Sequence, residues 1–361
     1  MTLNTWLYLI SYREDVFSFE AISFQGGILN KLFFKSALEL DFSGSEKIKY
    51  RNDTESYHLT NKKIKGVLSI GSVITEGMSV EKGDSIFIKG TRLELNFDEK
   101  KDVQSFSELF GYIFNLCQFM AFRKNIKFEE IAIQGKSKQY PEINETIADC
   151  FVRYEDIQET EKDIHNCITF NIIGENIDRL LSSIIDNKPK KPQFNLGFIP
   201  ENDKDVNCIT SIKIREVCSA LESEMELAKI KAEQEKEFDN LVKTLKTIVE
   251  KHRDGEKPLT DAKVYDYILG NLRHLNGALA DRIEKCFSEH QSELGEVINR
   301  SQIDQIVNYR NTITHGSYMQ LNVELADATV VLMKLVYCCV LKRIGLDKKI
   351  ISDMMMRHII S

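Results

Sequence analysis

The strongest constraint in this sequence is a change of hydrophobic period along its length. In the first hundred or so residues, apolar side chains alternate or form short runs punctuated by glycine. From residue 205 onward they recur every three or four positions. A chain with both periods cannot build one kind of layer throughout. The pattern predicts an α+β protein, with a β-rich N-terminal domain and covering helices over 1–204, then an all-α antiparallel helical bundle over 205–361. Two domains also suit 361 residues, too long for one comfortable core, and Pro200 to Asp205 reads as the boundary.

In the first part, Leu93, Leu95 and Phe97 alternate with Glu94 and Asn96, the signature of a half-buried strand. Further strands are expected in Tyr12–Phe24, Leu32–Phe42, Tyr57–Leu59, Gly66–Ile74, Ile86–Phe97 and Phe128–Gln134. Gly71, Gly77, Gly83 and Gly90 fall close to turn positions. Ser105–Arg123 switches to helical period, with Phe106, Leu109, Phe110, Ile113, Phe114, Cys117 and Met120 on one face. This segment predicts a helix covering the sheet. Ile177–Ile185 also reads as helix, and the lysine-rich run Asn187–Pro192 as a solvated connector. Gly26-Gly27 lacks the remaining glycines and the lysine of a phosphate loop, so no nucleotide fingerprint is present.

The second part predicts four helices. Ile212–Lys251 holds no proline or glycine and carries Val217, Leu221, Leu227, Ile230, Phe238, Leu241, Leu245 and Ile248. Asp261–Phe287 follows, with Val264, Ile268, Leu272, Leu275, Leu279 and Ile283 as its face. Leu294–Arg310 and Val323–Ile344 complete the set, and Lys349–Ile360 reads as a smaller fifth helix.

Between the third and fourth helices lies Asn308-Tyr309-Arg310-Asn311-Thr312-Ile313-Thr314-His315-Gly316. Arg310 extends the face of Ile303, Ile306 and Val307, aiming a permanent cation at the side where another helix packs. Asn311 can hydrogen-bond backbone at the helix end, and Gly316 permits a conformation that larger residues resist. Arginine binds phosphate and histidine exchanges protons near neutral pH, the two needs of RNA cleavage. The plain structural reading pairs Arg310 with a carboxylate such as Glu222 or Glu296. Glu222 and Asp304 lie on charge-rich faces and give no independent reason to join a catalytic set.

Arg310-Asn311 followed by His315-Gly316 resembles the signature of the HEPN ribonucleases, in which arginine and histidine stand four to six residues apart. The resemblance covers roughly residues 205–361. It implies a helical domain that dimerises with its motif helices facing, placing two arginines and two histidines in one cleft. It also implies Arg310 as phosphate ligand and transition-state stabiliser, and His315 as the residue that handles protons or positions the 2'-hydroxyl. Asn311 would orient both. The expected partners are an RNA substrate and a second copy of the chain, as homodimer or higher even oligomer, through the face of Ile303, Ile306 and Arg310. The whole layout resembles the ApeA-type HEPN proteins of bacterial anti-phage defence. That likeness implies a metal-independent endoribonuclease cleaving host RNA, tRNA being one candidate, with an N-terminal domain that senses or restrains and a phage-derived trigger. The alternatives are a non-catalytic HEPN module that binds nucleotide, RNA or protein, and a nucleotidyl-transferring toxin or antitoxin component.

Rival chemistries find little support. No histidine pair has HExxH spacing and no carboxylate-rich loop suggests magnesium, so neither metal nor cofactor is expected. None of the eight cysteines forms a CxxC pair, and they read as reduced, buried thiols. A formal net charge of -7 argues against a basic surface coating nucleic acid, though not against a local basic cleft. The chain opens without a signal sequence, and Ala328–Leu341 is too short to span a membrane, so a cytoplasmic protein is expected.

Overall fold

The computed structural model describes residues 7–13, 17–33, 38–41, 47–50, 54–78, 85–140, 142–154, 167–188, 193–202, 205, 208–230, 235–255, 260–273, 279–314, 316 and 319–356. Two compact units divide the chain: Met1–Cys208 together with Ile344–Ser361, and Ile209–Arg343. The last stretch thus groups with the β-rich part, not with the helices that precede it.

The first unit is built on strands β1 (Leu7–Ser11) and β2 (Ser18–Gln25), a single helical turn α1 (Leu29–Leu32), and strands β3 (Leu38–Asp41), β4 (Lys47–Tyr50), β5 (Thr54–Leu59), β6 (Gly66–Met78) and β7 (Ser85–Asp102). Helix α2 (Phe106–Ala121) follows, then β8 (Glu130–Lys136), β9 (Asn144–Val152), α3 (Phe170–Ile173) and α4 (Ile177–Ile185). Among the described residues, seven strands form one antiparallel sheet in the order β1-β9-β8-β2-β7-β6-β5, and β3 pairs with β4 separately. A register shift between Phe19 and Ala21 in β2 changes the alternation, so that Phe19 and Phe24 both meet α2 although five residues separate them. Phe19 packs edge-on against Phe106, and Phe24 lies against Phe110. Each such buried ring contributes about 1.5–3 kcal/mol relative to exposure. Leu93 and Leu95 are buried as their alternation predicts. The expected strand Leu32–Phe42 is corrected. Gly26 and Gly27, both at positive φ, turn the chain into α1, which buries Leu29 and Leu32 on one side, and among the described residues of that stretch Leu38–Asp41 is strand.

The second unit is all helical: α5 (Ser211–Leu227), α6 (Glu235–Arg253), α7 (Ala262–Arg273), α8 (Leu279–Leu294), α9 (Arg300–Thr314) and α10 (Val323–Ile344). The final helix α11 (Lys348–Met356) belongs to the first unit. The long helix expected over 212–251 is interrupted. Lys229 adopts φ +56, the Ile230 amide donates to the Met225 carbonyl at 2.8 Å, and the Lys229 amide donates to Glu226 at 3.1 Å. This is a Schellman stop with lysine in the position usually held by glycine, and both Ile230 and Met225, the residues its outer hydrogen bond joins, are buried. The expected third helix also starts late. Leu294 closes α8, Gly295 turns at φ +66, and α9 opens at Arg300. There Asn299 and Gln302 cap reciprocally, each side-chain oxygen accepting from the other's amide at 3.0 and 2.9 Å. The expected second helix is described as α7 and α8, with 274–278 between them outside the described residues.

The core of this unit joins Ile214, Val217 and Leu221 of α5 to Ile283 of α8, Ile303 and Ile306 of α9, and Leu332, Leu335 and Val336 of α10. On α7 the buried residues are Tyr265, Leu269 and Leu272, while Val264 and Ile268 stay exposed. On α6 it is Val242 that is buried, and Leu241, Leu245 and Ile248 are exposed. The faces read from spacing on these two helices are therefore rotated by about one position. Among the described residues, no helix is long and apolar enough to cross a membrane.

Candidate functional site

Two side-chain contacts hold the motif end of α9 against α5. Tyr309 is 1% exposed, and its hydroxyl lies 2.7 Å from Ser211 Oγ in the first turn of α5. Arg310, one residue on, reaches the other way to Glu222, eleven residues further along α5, or about 16 Å at helical rise. Arg310 Nη2 donates to Glu222 Oε2 at 3.0 Å and more weakly to Oε1 at 3.4 Å. Both side chains of this pair are 29% exposed. Adjacent residues thus fix α9 at two separated points of one neighbour.

The motif's geometry departs from expectation in three ways. First, α9 runs four residues past Arg310 to Thr314, so Asn311 lies in its last turns and not beyond its end. Second, Asn311 is exposed, and among the described residues its side chain bonds Arg310, Oδ1 accepting from Nη1 at 3.1 Å, and not backbone. Third, Ile303 and Ile306, on the face expected to meet a second copy, are buried within the unit's own core. His315 lies outside the described residues. Gly316 has φ +76 with its amide donating to the Ile313 carbonyl at 3.1 Å, the left-handed turn its residue type allows.

Electrostatics at this end separate candidates from bystanders. Among the described residues, Asn311 and Glu222 are the side-chain partners of the Arg310 guanidinium. That leaves part of its five-donor fork for a ligand. Glu296 instead holds Lys334, and Asp304 accepts from Arg300 at 2.9 Å in the first turns of α9. Cys218, one turn before Glu222, is fully buried, and burial pushes its thiol up to about 12, so it stays protonated and unreactive at neutral pH. Glu224 points away from the motif into the interior, where Arg343 grips it through Nε at 2.8 Å and Nη2 at 2.9 Å. Desolvation there still lifts its carboxyl above the ordinary range, against the pull of Arg343.

A second grouping of reactive side chains lies inside the same unit. Cys286 and His290 of α8 meet Cys339 of α10, and all three are buried. The contact with Cys339 holds the Cys286 thiol below its usual range, while Cys339 is pushed up. Neither CxxC nor HExxH spacing relates these three residues. Their one local trace in the sequence is Cys286-x-x-x-His290, a helical i, i+4 pair.

Residues 215–350 match the family model Apea-like HEPN. The matched segment takes in Glu222, Arg310, Asn311 and His315, and also Cys286, His290 and Cys339. It covers most of the helical unit and leaves the β-sheet unmatched. No curated protein and no solved structure matches the chain.

Proposed function

We propose that this chain is a metal-independent endoribonuclease of the HEPN type, cleaving host RNA such as tRNA in response to phage infection. The observation that carries the reading is Arg310. It is a partly exposed guanidinium at the end of α9, inside the HEPN-matching segment, one residue from Asn311 and five from His315. RNA carries its own nucleophile, the 2'-hydroxyl. Cleavage needs that group deprotonated, the departing 5'-oxygen protonated, and charge on the phosphoryl oxygens stabilised. Arg310 supplies fixed positive charge to those oxygens, Asn311 holds the guanidinium from the side, and His315 exchanges the protons. One arginine and one histidine make half of a convenient site, so two chains associate to complete it. The surface that meets the second copy is the exposed side of α9 around Asn311, since Ile303 and Ile306 are taken up internally. The β-rich unit senses the trigger or restrains the cleft.

One observation favours a second reading, a non-catalytic HEPN module that binds RNA or protein. Glu222 already neutralises Arg310, as it would if the arginine were only a structural tie. A single experiment separates the two. Purified protein is incubated with total RNA in EDTA, and 5'-hydroxyl ends are mapped by sequencing. Defined sites that vanish in His315→Ala support the nuclease, whereas RNA bound without new ends supports the binding module. Co-expressed wild-type and His315→Ala chains test the shared cleft: activity below half of the wild-type value supports it, and activity linear in the wild-type fraction opposes it.

A further inference from the structure

We propose that Cys286, His290 and Cys339 form a binding site for a zinc-class divalent cation that staples α8 to α10. Their three ligand atoms lie within 4.8 Å of one another. The two sulfurs are 3.6 Å apart, and His290 Nε2 lies 3.9 Å from Cys339 Sγ. A tetrahedral zinc with bonds of about 2.3 Å to sulfur and about 2.05 Å to nitrogen would need edges of about 3.8 and 3.6 Å. Two edges of the trio therefore stand within a few tenths of an ångström of those it would take around an ion.

The ring is also oriented for ligation. His290 Nδ1 lies 2.8 Å from the Cys286 carbonyl oxygen. A carbonyl only accepts, so Nδ1 carries the hydrogen and the Nε2 lone pair faces the sulfurs. Ligating histidines are commonly held in this way, by giving their other N–H to a backbone oxygen. Cys286 and His290 are one helical turn apart and share a face of α8, which is why two of the donors converge before the fold adds the third. Burial suits the loaded state: exposures are 0% for Cys286, 4% for His290 and 5% for Cys339. Two thiolates cancel the two charges of the cation, so the occupied site is neutral and avoids the cost of a buried net charge. Two sulfurs and one imidazole select zinc over magnesium or calcium, which seek oxygen. Loading breaks two S–H bonds and forms two S–Zn bonds, releasing two protons with no change of oxidation state. The three side chains leave the fourth tetrahedral position to a further ligand.

The proposed role is structural and uses none of Arg310, Asn311 and His315, so this inference does not depend on the ribonuclease reading. The test uses the full chain, purified under reducing conditions from zinc-supplemented growth, with metal measured by mass spectrometry on the protein as purified. About one zinc per chain is expected. Cys286→Ser, Cys339→Ser and His290→Gln should each lose most of it, while Cys117→Ser, a buried thiol of α2 in the other unit, should keep it. Reconstitution of metal-stripped wild type with Co2+ should give a thiolate-to-cobalt absorption band and raise the unfolding temperature. That measurement on wild type decides the matter even if the variants fail to fold. Wild type without zinc and without the cobalt band would overturn the proposal, leaving a trio of hydrogen-bonded thiols and imidazole. A Cys286–Cys339 disulfide found in the native protein would overturn it equally.

Discussion

The Arg310–Glu222 pair gives the most discriminating perturbation, because its two possible roles predict opposite signs. In Glu222→Gln the side chain keeps its length and an oxygen that can accept from Arg310 Nη2, but it loses the charge. With both partners 29% exposed, the pair falls between exposed bridges, worth about 0–1 kcal/mol, and buried ones, whose breakage costs about 3–5 kcal/mol. The retained acceptor keeps the expected loss of stability near 1 kcal/mol, a fall of a few degrees in Tm for a unit of this size. RNA affinity should move the other way. A phosphate on the open side of the guanidinium would sit about 6 Å from the carboxylate, where two like charges repel by about 0.7 kcal/mol in water and about 3 kcal/mol at an effective permittivity of 20. Screening over about 8 Å at physiological salt trims this, leaving about 1 kcal/mol, or roughly fivefold tighter binding. The assay is fluorescence anisotropy with a single-stranded RNA, in a His315→Ala background that keeps the RNA intact, alongside thermal unfolding. The gain should shrink as salt rises. Unchanged or weaker RNA binding together with the same loss of stability would refute the reasoning and make Arg310 a structural tie.

Arg310→Ala should lower cleavage by at least about a hundredfold with the circular dichroism spectrum preserved, and Arg310→Lys should recover only part, since lysine keeps charge but not the planar fork. Cleavage of mapped sites by each variant reports this directly. Tyr309→Phe removes the 2.7 Å contact with Ser211 while keeping the ring, so it should cost about 1 kcal/mol in urea unfolding. Arg343→Leu leaves the Glu224 carboxyl buried without its partner and should cost about 3–5 kcal/mol. The Glu224 carboxyl is already raised by burial, and losing Arg343 raises it further. Below the unfolded carboxylate value both states hold the proton and there is no penalty from ionisation. As pH climbs through that value the unfolded chain ionises first, so stability lost in Arg343→Leu should grow from pH 4 towards neutrality, as unfolding at a series of pH values would show.

Local pattern alone determined a good deal here. Val323–Ile344 and Ile177–Ile185 are helices with the bounds their apolar spacing indicates, because long or strongly one-sided periodic runs have one way to bury that side. Leu93 and Leu95 alternate into the sheet interior as a period of two requires. The motif from Arg310 to Gly316 was legible as residue types at a helix corner. Other features were decided only by tertiary structure, because spacing says which side of an element is apolar and not what covers it. Ile303 and Ile306 looked available to a second copy until α9 packed them into its own unit. The break at Lys229 had no glycine to announce it, since the stop depends on Ile230 folding back onto Met225. Glu222 and Arg310 are separated by 88 positions, and Cys286 and Cys339 by 53. Glu222 was one of two carboxylates offered to Arg310 by residue type, and only the fold chose it over Glu296, while nothing local paired the two cysteines, because contacts at such separations exist only after the helices have chosen their neighbours.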